Sequence, residues 1–365
     1  GRGNSSLIYS TFMIGFALGG VFMGRLADRM GIMIPALIGS LALPAGFYLA
    51  AHASSILEIC LAFSLLCGFL GSSFSMAPLI ADISHWFSRR RGLAVGIAFS
   101  GSYVAGAIWP PILQRMFDAQ GWRESFVDLA LLTLILMALL SLLLYPRSPI
   151  NKQLPTASSA NSNLTNSAIS AGTLQSLIYL AGFGCCVAMA MPQVHIVPYV
   201  MDLGHPAIRG AEMLGLMLGF GVISRVGSGW LSDRIGGLAT LVLGSALQVA
   251  VLIAFLTGNS LVFLYGISIA FGLSQGGIVP SYTIILRAFF PPKQAGWRIS
   301  TSFLFTVAGM AFGGWIAGLL YDLTGSYTVS FLNAIGFNIL NLWGAASLLK
   351  KSGAIGTRAS TSAVN

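Results

Sequence analysis

An all-α integral membrane protein, built as two similar helical half-bundles, is the fold class that three features of this sequence predict. Hydrophobic residues make up 56% of the chain and charged residues only 8%. That is about a third of the charge a soluble domain carries, so most of the surface cannot face water. Apolar runs of about 20 residues, each enough to cross a bilayer core, recur from end to end. Third, Gly24-Arg25-Leu26-Ala27-Asp28-Arg29-Met30-Gly31 returns as Gly229-Trp230-Leu231-Ser232-Asp233-Arg234-Ile235-Gly236, the same G-x-x-x-D-R-x-G pattern 205 residues later. Pro78 and Pro280, Trp109 and Trp315, and Asp118 and Asp322 repeat at offsets of 202, 206 and 204. A duplicated all-membrane chain has half-bundles related by a pseudo-two-fold axis, an arrangement that lets the halves rock about a central site.

In chain order the spans fall at 7–24, 32–51, 56–80, 92–114, 125–146, 173–200, 211–230, 238–257, 260–286, 298–321 and 327–348, eleven in all. Gly, Pro and Ser inside them do not demote them, because neighbouring helices satisfy the backbone groups they free. Residues 1–146 form the first half-bundle. Between 147 and 172 the composition turns to Ser, Asn, Thr, Ala and Pro, which cannot bury enough apolar area to fold alone and reads as a flexible cytoplasmic linker. Residues 173–349 form the second half-bundle and 350–365 a disordered cytoplasmic tail. The first copy of the repeated motif follows one span and the second follows two, so a first helix is expected to be missing ahead of Gly1 and an intact parent to have twelve. Nothing at the start resembles a signal peptide.

The formal net charge of +9 raises nucleic acid as a partner, but the basic residues are scattered over short loops and form no patch. Orientation explains them better. With both motif loops on the cytoplasmic side, fourteen Lys and Arg lie on that side and Arg2, Arg115, Arg123 and Arg209 on the other, leaving Arg225 inside a span. That positive-inside bias also places the C-terminus in the cytoplasm. Short loops and sparse linkers point to a bacterial inner membrane. Cys60, Cys67, Cys185 and Cys186 all lie in apolar spans, without metal-ligand spacing or loop positions suited to a disulfide, and read as packing residues. The sequence has no zinc, haem, phosphate-loop or nucleophile-elbow pattern, so no enzyme, cofactor or ATP-driven pump is expected.

Glycines at four-residue spacing open flat grooves on helices and let backbones approach closely. Gly15, Gly19, Gly20 and Gly24 do this in one span, and Gly309, Gly313, Gly314 and Gly318 in another. The expectation is that these two helices face each other across the half-to-half interface as a moving seam. Gly92, Gly96 and Ser100 with Gly215 and Gly219 outline a second seam. The alternative is tight packing within each half.

The G-x-x-x-D-R-x-G loop and its repeat resemble the hallmark of the major facilitator superfamily, and the resemblance covers essentially the whole chain. The stretch Asp82-Ile83-Ser84-His85-Trp86-Phe87-Ser88-Arg89-Arg90-Arg91-Gly92-Leu93-Ala94, then Gly101-Ser102 and Pro110-Pro111, is similar to monocarboxylate transporters and oxalate/formate-type antiporters. So are Gly121-Trp122-Arg123 and Asp322-Leu323-Thr324-Gly325-Ser326-Tyr327. The resemblance implies the major facilitator fold, with these spans as helices 2 to 12. It also implies a cytoplasmic lock made by Asp28, Arg29 and Asp82, with Asp233 and Arg234 in the second copy. A carboxylate beside a helix N-terminus is favoured by the unpaired amides there. Fuller versions of the motif carry a basic residue after the last Gly, where this chain has Ile32.

Arg225 is the sharpest candidate for a substrate contact, since a guanidinium in a span needs a partner or a task. Its planar fork of donors matches a carboxylate. In the resembled transporters a substrate-binding arginine stands four residues before the glycine of the second motif, the spacing of Arg225 and Gly229. The competing reading is a side chain that snorkels to cytoplasmic water. His195 lies between Pro192 and Pro198, where it can titrate near neutral pH and carry a coupled proton, or simply pack. Gln193, Tyr199, Tyr103, Trp109, Gln275 and Tyr282 are polar or amphipathic residues that can complete a cavity. Two departures bear on coupling: some monocarboxylate transporters have an aspartate where this chain has Gly221, and no lysine stands between Arg298 and Tyr321.

The expected function is transport of a small organic anion, a monocarboxylate, by alternating access, as proton symport or anion exchange. The partners expected are that anion, protons and the lipid bilayer, with no metal and a monomeric state. An exporter of drug-like compounds is the alternative within transport, and a non-transporting membrane sensor or inactive remnant the alternative outside it.

Overall fold

The computed structural model describes residues 2–75, 78–79, 82, 91–145, 170–290 and 292–362. Its helices are α1 Arg2–Met30, α2 Met33–His52, α3 Ile56–Leu61, α4 Arg91–Leu142, α5 Ala171–Asp202, α6 Ala207–Ile235, α7 Gly237–Ala254, α8 Leu261–Gln275, α9 Ile278–Phe289, α10 Pro292–Thr324 and α11 Tyr327–Ser362. There is no strand among the described residues. The α3 helix continues as a π-helical stretch, Ala62–Ser72.

Local chemistry explains the breaks between helices. The final glycine of each motif copy ends its helix with a positive φ, 85° at Gly31 and 86° at Gly236. Each amide closes the last turn, Gly31 onto the Ala27 carbonyl at 2.8 Å and Gly236 onto Ser232 at 2.9 Å. A side chain at either position would be strained, which accounts for the invariance of that letter between the two copies. Ser55 caps α3 by accepting from the Glu58 amide, and Glu58 reaches back to the Ser54 amide at 2.8 Å, two unpaired amides satisfied reciprocally.

At 52 residues, α4 would run about 78 Å if straight, more than twice the hydrocarbon thickness of a bilayer. Gly121 breaks it, with φ 82° and ψ 162°, and this separates the expected spans 92–114 and 125–146. Among the described residues ten helical stretches are long and apolar enough to cross a membrane, and one of them, 100–142, holds two crossings. Each of the eleven expected spans is therefore represented by a helix among the described residues. Large apolar side chains lie on the outside, Val262 at 84% and Val226 at 68% exposure, as expected where the solvent is lipid.

Two boundaries differ from expectation. Helix α11 continues to Ser362 where a disordered tail was expected from residue 350; 350–362 contains no proline, and extending an existing helix needs no new nucleus. The compact units also cut across the expected halves. One unit joins 1–154 with 197–215 and 314–325, and the other comprises 155–196, 216–313 and 326–365. The ends of α5, α6 and α10 thus cluster with the first sequence half.

Candidate functional site

The site is built on α6, where it passes the break between α8 and α9. Gly272, Gly276 and Gly277 lie along this contact. A Cβ on Gly276 would stand 2.9 Å from the Arg225 amide nitrogen, and one on Gly277 would collide with Ser228. Only glycine lets the two backbones come this close. The Ser224 hydroxyl donates to the Leu273 carbonyl, and Arg225 Nε donates to the Gly276 carbonyl at 3.4 Å. Arg225 is half-buried, and this bond through Nε sets the direction of the guanidinium.

Gln275, next to Gly276, is fully buried. Its Oε1 accepts from Gln193 Nε2 of α5 at 2.8 Å, while its own Nε2 has no partner among the described residues. A buried donor left unmade costs about 1–3 kcal/mol, which a ligand or a water would recover. Gln193, Gln275 and Arg225 are thereby linked through α5, α8 and α6.

Around this set runs more buried polar chemistry. The His195 ring, 2% exposed, places Nδ1 3.2 Å from the Tyr327 hydroxyl with the two rings tilted together. Tyr282 donates to Asn341 Oδ1 at 2.9 Å. Asn341 Nδ2 donates to Ser245 Oγ at 2.8 Å, and Asn338 Nδ2 to the Ser245 carbonyl at 3.3 Å. Tyr282 is thus engaged in a buried bond to α11. Further along, Gln175 and Arg298 pair at 3.1 Å, with the Arg298 guanidinium 3.9 Å over the Phe290 ring. Arg298, expected at the cytoplasmic start of the span 298–321, is half-buried in α10.

Of the other expected site residues, Tyr103 and Tyr199 belong to the unit that holds the first sequence half; Tyr103 is half-buried and Tyr199 buried. In the motif loops the side chains of Asp28 and Asp233 lie outside the described residues. Arg29 is exposed, Asp82 is half-buried, and Arg234 lies 4.1 Å over the Trp230 ring.

The glycine grooves receive neighbours other than the expected ones. Gly15 and Gly19 close onto the carbonyls of Ser64 and Phe69 in the π-helical stretch, while Gly309 and Gly313 close onto Phe183 and Val187 of α5. The tight approach at these four is within a sequence half, not across the halves. A glycine groove accepts any backbone placed against it, and spacing alone does not say which. A Cβ on Gly20 would stand 3.9 Å from the Ser73 carbonyl oxygen and one on Gly24 would meet nothing within 4 Å; Gly314 and Gly318 are buried. Contacts between the halves occur elsewhere in the first unit. The Gly3 amide donates to Asp322 Oδ2 at 2.7 Å, and a Cβ on Gly215 would sit 2.6 Å from the Ala107 carbonyl.

Sequence reading did not find Tyr327 as the partner of His195, the unpaired amide of Gln275, or the Asn338–Asn341 pair. A usable signal existed for one of these: Asn338 and Asn341 share a helix face at i, i+3.

The model of the Major Facilitator Superfamily matches residues 2–267 and 228–361. The chain belongs to the major facilitator superfamily. Within it, the chain is 26% identical over 325 residues to monocarboxylate transporter 13 of Bos taurus, covering 88% of this chain and 74% of that protein. It is 28% identical over 320 residues to monocarboxylate transporter 11 of Homo sapiens, covering 84% and 66%. The Agnestins efflux protein AgnL12 of Paecilomyces divaricatus is 27% identical over 259 residues, covering 70% and 57%. Among solved structures, a mutant of the nucleoside transporter NupG superposes with a TM-score of 0.69 at 14% identity, over 95% of this chain and 90% of that one. As a member of the superfamily the chain is a multi-pass membrane transporter, resembling the monocarboxylate transporters. These relatives are animal and fungal, and lend no support to the bacterial inner membrane expected from loop length.

Proposed function

We propose that this protein is a secondary active transporter of a small organic anion, a monocarboxylate, working by alternating access. The observation that carries the reading is Arg225: a half-buried cation in a membrane helix, bonded through Nε to the carbonyl of Gly276, the residue that follows Gln275 and its buried amide donor. A carboxylate here would accept from the planar donors of the guanidinium and from the Gln275 amide, satisfying a buried donor that opposes closure of the membrane domain. The monocarboxylate transporters among the relatives support the same substrate class. Coupling is proposed to run by proton symport, with His195 in contact with Tyr327 as the proton carrier, or by anion exchange. Asp28, Arg29, Asp82, Asp233 and Arg234 gate the cytoplasmic side, on which the C-terminus lies.

The efflux protein among the relatives favours a second reading, export of larger drug-like compounds. Uptake of a labelled lactate-sized acid into vesicles carrying the protein, with and without an inward proton gradient, separates the two. Competition by unlabelled short monocarboxylates and none by hydrophobic cations is the expected result. Competition by the cations alone would overturn the carboxylate reading in favour of export.

A further inference from the structure

Behind the second motif copy lies an open-sided cavity of about 260 Å³. Ile235, Leu238, Ala239, Ile284, Ile285, Phe289 and Leu349 supply its walls, and among the described residues no polar side chain lines it. The positive-φ turn at Gly236 creates the space, because it turns the chain from α6 into α7 without a side chain at the corner.

Three observations define the occupant. The exposed face of α6 is apolar through Ile223, Val226 and Trp230, so the helix faces acyl chains up to that point. One turn later Arg234 stacks over the Trp230 ring at 4.1 Å, a tryptophan-cation pair of the kind that marks the bilayer interface. Cations then bracket the cavity in sequence: Arg234 precedes Ile235, and the exposed Lys350 and Lys351 follow Leu349 directly. Asp233 is the one carboxylate in these two runs, and its side chain lies outside the described residues. An apolar slot at the depth where the belt ends, with basic residues on the side facing the headgroups, is complementary to a molecule with a hydrocarbon chain and an anionic head.

We infer that this cavity is a binding site for an anionic phospholipid, one acyl chain lying between α7, α9 and α11 and the phosphate held by Lys350, Lys351 and Arg234. The assignment rests on the proposed orientation, in which these helix ends are cytoplasmic, and is independent of Arg225 and of the transported substrate. Because the α6–α7 turn forms one wall, the bound lipid would brace the loop that carries the second gating motif.

Native mass spectrometry of the full chain, released from micelles holding equal dioleoylphosphatidylglycerol and dioleoylphosphatidylcholine, tests it without reference to transport. The expected result is preferential retention of phosphatidylglycerol by the wild type. The K350Q/K351Q double variant should lose about fivefold of that preference for each charge removed. Ala239→Leu, which fills the slot, should abolish retention while leaving the exposed lysines intact. If Ala239→Leu does not fold, the double variant on exposed positions still decides. Equal retention of the two lipids by the wild type, or an unchanged preference in the double variant, would overturn the assignment. Retention of inorganic phosphate in place of either lipid would do the same, because the cations would then serve a free anion and the slot no acyl chain. Binding with this pattern and no carboxylate uptake would leave the lipid site standing and remove only the proposed substrate.

Discussion

Residues 173–349 and 1–146 carry the same motif, with six expected spans in the one and five in the other, yet they use their polar side chains differently. In the second half polar side chains tie different helices together: Gln193 to Gln275, His195 to Tyr327, Tyr282 to Asn341, Asn341 to Ser245, and Gln175 to Arg298. Hydroxyls that turn back onto their own helix occur in both halves, Thr11 onto Leu7, Ser73 onto Phe69, Thr133 onto Leu129 and Ser141 onto Ala138 in the first, and Thr240 onto Gly236, Ser281 onto Gly277 and Thr306 onto Phe303 in the second. Backbone-directed hydroxyls satisfy themselves wherever the helix goes. Bonds between helices require one rotation and one depth, so they fix geometry. Duplication supplied one scaffold twice, and the half with the cross-linked interior also holds the oriented arginine.

Both halves share close glycine packing, and disturbing it should have the largest effect on folding. A Cβ on Gly313 would stand 2.5 Å from the Val187 carbonyl oxygen, and one on Gly68 2.6 Å from that of Phe12. Gly313→Ala and Gly68→Ala should each destabilise by about 1–3 kcal/mol, read as lower melting temperatures in detergent. Gly24→Ala, with nothing within 4 Å, should be neutral or slightly stabilising. If all three behave alike, the close approaches are not real constraints.

The polar asymmetry predicts smaller, graded effects. Gln275→Leu removes both the unpaired donor and the acceptor of Gln193, and should raise KM for the transported acid about tenfold, equivalent to about 1.4 kcal/mol, with kcat less affected. A change in kcat alone would make Gln275 a packing residue. Tyr282→Phe breaks a buried bond between helices and leaves Asn341 Oδ1 short of a donor, lowering stability by about 1 kcal/mol. Thr133→Val removes only a bond within one helix and should change stability by less than about 0.5 kcal/mol. Equal losses at Tyr282 and Thr133 would erase the proposed difference between the halves.

Much of the fold was legible in the sequence because a membrane span is a local property: length and hydropathy set it, and Gly31, Gly121 and Gly236 mark breaks by conformation alone. The site was legible only in part. Arg225 stood out because a cation in an apolar run is conspicuous. The Gln193–Gln275 contact joins residues 82 apart and depends on how two helices are rotated about their axes. In water an apolar stripe reveals that rotation; in lipid most faces of a helix are apolar and the stripe disappears. The same loss explains the glycine grooves, where spacing identified Gly15, Gly19, Gly309 and Gly313 as contact positions without identifying Ser64, Phe69, Phe183 and Val187 as what they touch.

The central claim is that Arg225 holds a substrate carboxylate with its planar fork, and equilibrium binding to the purified protein tests it most directly. Titrating a short monocarboxylate into the wild type and Arg225→Lys, in the same detergent and with matched melting temperatures, compares a bidentate donor with a point charge. The account predicts that the lysine variant keeps its fold and loses about tenfold or more in affinity. Affinity within a factor of two of the wild type would contradict it.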